Sequence, residues 1–427
     1  MRIARLIVQN FRNIANEREF VFDEHFTLII GVNGQGKSTL LHALRVAAGS
    51  YFLAIPDVTS RHIHPDEIRV ENVGKQLIPQ YPVKVEAVGT FYGKPETITW
   101  RRQFLSGSSS TTSKAADVGL IKKEAEQKYL TVIKYNKEPE GLPVIAFFGT
   151  SRVFGAGRNI RQKQKLGRQI FKDGYQDWEE MKSSKFQYEY WLASYDALLK
   201  LGREYDKTRA AFFTALCIAN SYIKEVEFYN GELWLSIIID GNKSDFLPLS
   251  MHSDGVRYYT AMVAEIAYRC IVLNGYLNEK AILESTGLVM IDEIDIHLHP
   301  NWQRHVVADL KKAFPKIQFA ATTHSPFIVQ SMDAGSLINL DKNELSISPD
   351  ELPLNKVATE VMGVKNIRSD DFERRYEQAR GELISMKKAK GDLTMDDYRK
   401  ISESLSRIVT NETNDPINKA FLEAKGK

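Results

Sequence analysis

"FTLIIGVNGQGKSTLLHALRVAAG", Phe26 to Gly49, decides how the rest of the chain is read. Phe26–Ile30 is a short, nearly continuous apolar run, the pattern of a strand buried on both faces. It passes straight into a glycine-rich loop. From Ser38 onward the apolar residues recur at helical spacing. The order is therefore strand, glycine-rich loop, helix. Within it, Gly31-x-x-x-x-Gly36-Lys37-Ser38 fits the phosphate-binding loop in full and in the required context. The glycines, with Asn33 and Gly34 between them, let backbone N–H groups wrap phosphates, and the helix N-terminus adds its positive dipole end. Lys37 is a point charge for β- and γ-phosphates. Ser38, followed by Thr39, supplies an oxygen to Mg²⁺.

Downstream, "VMIDEIDIHLHP" (Val289–Pro300) raises a choice. Asp292, Glu293, Asp295, His297 and His299 read either as a metal site or as the hydrolytic edge of an ATPase. "GLVMIDE" is an apolar strand ending in two acids, and such a strand lies beside the phosphate-loop strand in this class of sheet. Asp292 then holds Mg²⁺ through water, and Glu293 sits where a general base for the attacking water belongs. Both acids reach the site only at the strand end, where the chain turns. A metal on His297 and His299 needs a third ligand. Asp295 is available, but no cysteine or further histidine pattern supports it, so "EIDIHLHP" reads as a turn bordering the nucleotide and a second subunit.

One helix later, Thr322-Thr323-His324-Ser325 ends the next strand. A histidine there can reach a γ-phosphate. Upstream, Ser253-Asp254-Gly255 precedes a long helix, Asp254 to Leu273. Ser253 is a good cap for it, and the helix N-terminus is an anion site. Read functionally, Ser253, Asp254 and Gly255 meet the γ-phosphate held by a second subunit; read structurally, they only cap a helix.

The remaining chain is uneven. Residues 80–103 and "VEFYNGELWLSIII" read as hairpins, the second with Asn230-Gly231 as a type I′ turn. Residues 155–224 turn helical and aromatic-rich. "NWQRHVVADLKKAF" reads as one helix. After about 345 the chain becomes polar and charged, with helical pattern. "SGSSSTTSK" is a linker or mobile loop. "GAGRNIRQKQKLGRQ" carries Arg158, Arg161, Lys163, Lys165 and Arg168 without an acid, and reads as a nucleic-acid contact or a solvated loop.

Bulk composition sets limits. The chain has 427 residues, 43% hydrophobic, with 57 Lys and Arg against 54 Asp and Glu. A net charge of +3 does not announce a nucleic-acid binder. Cys217 and Cys270 sit in apolar stretches without a CxxC, which excludes a disulfide framework and a thiolate zinc site. No signal peptide or apolar span is present, so a cytoplasmic protein without a membrane partner is expected.

The opening "FRNI", the phosphate loop, "SDG", "MIDE", "LHP" and "TTHSP", in that order, resemble the ABC-type ATPase heads of the structural-maintenance (SMC), RecF and OLD group. "FFGTSR", "SDGVR", "IDEIDIHLHPNWQRH" and "FPKIQFAATTHSP" are similar to the compact ATPases of bacterial antiphage systems, the Septu PtuA and retron-associated families. The resemblance implies an α/β fold: a P-loop head with a mixed sheet, an antiparallel β lobe, an inserted helical subdomain and a helical C-terminal tail. The expected parts are 1–152, 153–224, 225–345 and 346–427. The resemblance also implies ATP and Mg²⁺ as cofactors, Glu293 activating water, His324 sensing the γ-phosphate, and Arg12 near the phosphates. Arg152 in "FFGTSR" occupies the position of a Q-loop residue.

As to assembly, the resemblance implies a homodimer or higher oligomer that regulates a separate nuclease, of HNH type in Septu-like systems. About 100 residues follow His324, without a TOPRIM or HNH pattern, so the chain is not expected to cut nucleic acid itself. A RecF-like DNA-repair ATPase that clamps DNA is the alternative. A transporter subunit is disfavoured by the short signature.

Overall fold

The computed structural model describes residues 1–56, 58–135, 137, 140–150, 170–180, 188–194, 207–239, 241–341, 347–365, and positions 374, 377 and 385. Arg152 and the basic stretch from Arg158 to Arg168 lie outside the described residues. The chain divides into two compact units, Met1–Val357 and Ala358–Lys427. In the second, the Val364 N–H donates to the Ala358 carbonyl at 2.9 Å.

The first unit opens with β1 (Arg2–Gln9), β2 (Arg18–Val21) and β3 (Phe26–Ile30), and then helix α1 (Lys37–Gly49). A small hairpin, β4 (Val70–Val73) and β5 (Gln76–Pro79), precedes a long one, β6 (Val83–Phe91) and β7 (Lys94–Phe104). Next come α2 (Ala115–Ile133), β8 (Val144–Phe148), α3 (Ile170–Tyr175) and α4 (Lys207–Ala219). The hairpin β9 (Ile223–Tyr229) and β10 (Glu232–Ile239) is extended by β11 (Asn242–Lys243) and β12 (Leu247–Pro248). Helix α5 (Asp254–Leu273), β13 (Gly287–Ile291), α6 (Val306–Ala313), β14 (Ile317–Thr322) and β15 (Leu337–Asn339) follow.

Two sheets position the site. The first is parallel, in the order β15-β3-β14-β13-β8. Phe26 pairs with Phe319, and Gly287 pairs with both Ile317 and Val144. Every residue of β3, β8, β13 and β14 is buried, as a sheet covered on both faces requires, so these strands read as apolar runs interrupted only by Thr27, Gln318 and Thr322. The second sheet is antiparallel, in the order β2-β1-β6-β7. Helix α1 lies against β13 and β14 of the first sheet and against β6 and β7 of the second. Contact on both sides explains why Leu40, Leu41, Leu44, Val46 and Ala47 are all buried. Trp100 on β7 donates its indole N–H to the Ala47 carbonyl at 2.9 Å, tying the antiparallel sheet to the helix.

Both expected hairpins are present. Asn230 (φ 51°) and Gly231 (φ 82°) take the two left-handed positions that a type I′ turn needs. The helix expected across "NWQRHVVADLKKAF" differs: it is broken into Pro300–Gln303 and α6. The Gln303 side-chain amide donates to the Leu298 carbonyl at 2.8 Å, and the His305 N–H closes a tight turn onto Trp302 at 3.0 Å. Local turn and side-chain hydrogen bonding interrupts helical continuity there.

Candidate active site

The loop after β3 rises into α1 through glycines that the backbone needs. Gly34 and Gly36 have φ values of 87° and 107°. A Cβ on Gly36 would also come within 2.8 Å of the Asn13 amide. The α1 N-cap is Gly36 itself, without a side-chain cap, so the first-turn N–H groups have no side chain from the cap position. The Asn13 amide donates to the Gly34 carbonyl at 2.9 Å and braces the loop. Lys37 curls back, with Nζ 2.7 Å from the Gly31 carbonyl and 3.5 Å from that of Val32. Burial pushes its pKa down, while Asp341, Glu293, Asp292 and Asp295 pull the other way.

The acids arrive from β13. Asp292 is fixed at the strand end: its N–H donates to the Phe148 carbonyl at 2.8 Å. Its Oδ1 accepts from the Thr322 hydroxyl at 2.6 Å and from the Ser38 hydroxyl at 3.3 Å. Glu293 follows in a left-handed backbone (φ 51°), and its N–H donates to Thr322 Oγ1 at 2.7 Å. The unusual φ turns the chain where two neighbouring acids are to face one cleft. His324 is held by its backbone, whose N–H donates to Asp295 Oδ1 at 3.2 Å, while Thr323 donates to the same oxygen at 2.6 Å. Its ring is left exposed at the cleft.

These elements enclose a cleft of about 370 Å³ lined by Arg12, Asn13, Asn33, Gly34, Gly36, Lys37, Ser38, Thr39, Asp292, Glu293 and His324. Sequence reasoning named all of these except Asn13, whose only signal was its place beside Arg12. It placed Thr322 at a strand end without its role: this buried hydroxyl joins Asp292 to Glu293. Oxygen donors from Ser38 and Asp292, close together beside a phosphate cradle, fit a hard divalent cation such as Mg²⁺.

Ser253, Asp254 and Gly255 do not line this cleft. Ser253 takes the N-cap position of α5 but makes no side-chain cap bond, so the expected capping hydroxyl is corrected to a carbonyl contact, accepting the Arg257 N–H at 3.0 Å. Gly255 packs on the "EIDIHLHP" turn, where a Cβ would fall 2.1 Å from the His297 carbonyl oxygen. The His297 ring lies 5.8 Å from Tyr258, and His299 Nδ1 accepts the Asn301 N–H at 3.3 Å. Among the described residues no cluster of three metal-ligating side chains occurs.

A phosphate-loop strand and a strand ending in paired acids, on one parallel sheet joined through α1 to an antiparallel one, define a P-loop nucleotide-binding head. The AAA domain family profile matches residues 5–227, more than half of the chain, and the chain belongs to that family. It is similar to the retron Vc95 probable ATPase of Vibrio cholerae, 23% identical over 85% of this chain and 79% of that protein. It is also similar to the retron Ec83 probable ATPase of Escherichia coli, 41% identical over 24% of this chain and 18% of that one. The Septu protein PtuA of Bacillus thuringiensis is 31% identical over 33% of this chain and 35% of its own length. The matches to Ec83 and PtuA thus span less than two thirds of those proteins.

Proposed function

We propose that this chain is the ATP-binding and ATP-hydrolysing subunit of an antiphage defence system. The observation that carries the reading is the meeting of Ser38 and Asp292 at 3.3 Å across 254 residues of sequence, inside a cleft that also holds Lys37, Glu293 and His324. The similarity to retron and Septu ATPases supports the defence context.

In this reading, Lys37 exchanges the Gly31 and Val32 carbonyls for the β- and γ-phosphates. Asn33, Gly34, Gly36 and Thr39 shape the loop around them. Ser38 and Asp292 hold Mg²⁺, which neutralises phosphate charge when bound. Glu293 takes a proton from the attacking water, and His324 meets the γ-phosphate. Ser253, Asp254 and Gly255 act on the nucleotide of a second copy, so ATP joins two heads. They do not line their own cleft, which suits that role. The dimer holds a separate nuclease, with residues 346–427 as its docking element and Arg158, Arg161, Lys163, Lys165 and Arg168 as a nucleic-acid contact. No helix among the described residues is long and apolar enough to cross a membrane, which suits a cytoplasmic complex.

The test is a pull-down of the tagged chain from its native locus, with ATPase assays on the purified material. A co-purifying nuclease and ATP hydrolysis are expected. A chain that comes down alone, with DNA-stimulated ATPase activity, would overturn the defence reading in favour of DNA repair.

A further inference from the structure

Arg12 is the exposed end of a buried chain of ion pairs. It stands in a left-handed backbone (φ 50°), costly for an arginine, and one residue over-determines it there. The Arg12 N–H donates to the Glu67 carbonyl at 2.7 Å, and its guanidinium donates to Glu67 Oε1 at 3.1 Å. Glu67 is fully buried. The same Oε1 accepts from Arg61 at 2.6 Å, and Oε2 accepts the His64 N–H at 3.0 Å. Arg61 continues to Glu179 at 3.0 Å, and Glu179 to Arg45 at 3.4 Å. Arg45 ends on His42 at 2.7 Å, and burial beside arginines holds that imidazole neutral, its pKa pushed down to about 3.

Three guanidiniums share two carboxylates along this path. Glu180 adds a further negative charge near Arg45. Because Glu67 is divided between Arg12 and Arg61, it cannot neutralise both. The side chains of Arg61 and Arg45 are 6% and 8% exposed, that of Arg12 31%. Arg12 is thus the guanidinium of this path that reaches solvent, and it lines the nucleotide cleft.

We propose that Glu67, a residue outside the cleft lining, is a positioning residue for nucleotide binding: it fixes the Arg12 backbone and guanidinium so that Arg12 meets the phosphate chain. The inference rests on the ATP-binding reading above. Two simpler roles for Glu67 give different outcomes. As a mere counter-ion, its removal would leave the cleft more positive and tighten anion binding. As a mere structural residue, its removal would lower stability and leave affinity unchanged.

The experiment is calorimetric titration of Mg·ATP into the full chain as wild type, Glu67→Gln, Arg12→Ala and the double variant, with thermal unfolding alongside. Glu67→Gln is expected to weaken binding about tenfold, the scale of one charge-assisted hydrogen bond, and to have no further effect in the Arg12→Ala background. Unchanged or tighter binding by Glu67→Gln overturns the inference, and so does an equal loss in both backgrounds. Arg12→Lys, a change at a partly exposed position, covers the case of a Glu67 variant that does not fold. Lacking the planar fork, it should bind as weakly as Arg12→Ala, and wild-type affinity there overturns the inference. A wild-type chain that binds no ATP would instead overturn the reading beneath it.

Discussion

The starts of α1 and α5 are both helix N-termini without a side-chain cap, and they lie in opposite surroundings. The start of α1 is walled in: Lys37 and Thr39 are buried, no acid occupies its first turn, and the Gly36 backbone turns toward the cleft. The start of α5 is open, with Ser253 and Asp254 exposed. It also carries its own acid, for Asp254 sits in the first turn and pairs with Arg257 at 3.0 Å. One N-terminus is a complete anion cradle. The other carries its own carboxylate, Asp254, in its first turn. A glycine at the helix start, Gly36 before α1 and Gly255 in the first turn of α5, does not tell the two apart.

The comparison breaks most sharply at the cradle. Glu293→Gln should lower ATP turnover on the order of 10²- to 10⁴-fold, the usual worth of a general base, while ATP affinity changes little. Turnover and calorimetry on the same preparation check this, and light scattering should then show ATP-bound dimers accumulating. Full turnover would remove Glu293 as the base. Lys37→Ala should weaken ATP binding roughly 10²-fold, since one buried ammonium contact to phosphate is lost.

Glycine substitutions separate the two ends. Gly36→Ala forces a methyl onto the Asn13 amide at φ 107° and should weaken ATP binding by the isolated head. Gly255→Ala drives a methyl toward the His297 carbonyl, an overpacking cost of about 1–3 kcal/mol at the turn below α5. It should leave monomeric ATP binding within a few-fold and weaken ATP-dependent dimers instead. Equal effects on ATP binding from both variants would erase the distinction between cradle and open end.

A buried histidine further along α1 also predicts a pH dependence. His42 on α1 is held neutral, its pKa moved from 6.5 to about 3 by burial and then by the neighbouring Arg12, Arg45 and Arg61. The unfolded chain takes up that proton first as pH falls. The stabilisation is therefore complete above pH 6.5 and is lost progressively down to about pH 3, on the order of 2–4 kcal/mol. Urea unfolding at pH 7.5 and pH 5 should show the loss, and His42→Gln should flatten it.

Local chemistry was the legible part. The phosphate loop, the acids ending β13 and the histidine after β14 announce themselves because each function is written in contiguous residues. The buried strands were legible too, since a sheet covered on both faces leaves no polar alternation to confuse. What the sequence hid depends on distant partners. Nothing around Glu67 signals that it holds Arg12 across 55 residues. Thr322 reads as a strand residue until Asp292 and Glu293 close on it from either side. Ser253 reads as a capping hydroxyl, and the position is right, but Gly255 seated on the His297 carbonyl sets the helix start and the hydroxyl makes no cap bond.

The smallest predicted effect tests the open end most directly. Asp254 is the acid of the α5 first turn, where a negative charge stabilises the helix and opposes any second anion. If α5 meets the γ-phosphate of another copy, Asp254→Asn removes that repulsion, frees Arg257, and should tighten ATP-dependent dimerisation about two- to five-fold, the worth of one charge at a helix terminus. The gain should shrink with added salt, because both charges are exposed. Sedimentation of the Glu293→Gln and Glu293→Gln/Asp254→Asn chains with ATP at two salt concentrations reads the difference. Weaker dimers from the second variant would mean that Asp254 itself bonds across the interface, making the open end a donor–acceptor pair and not an anion site.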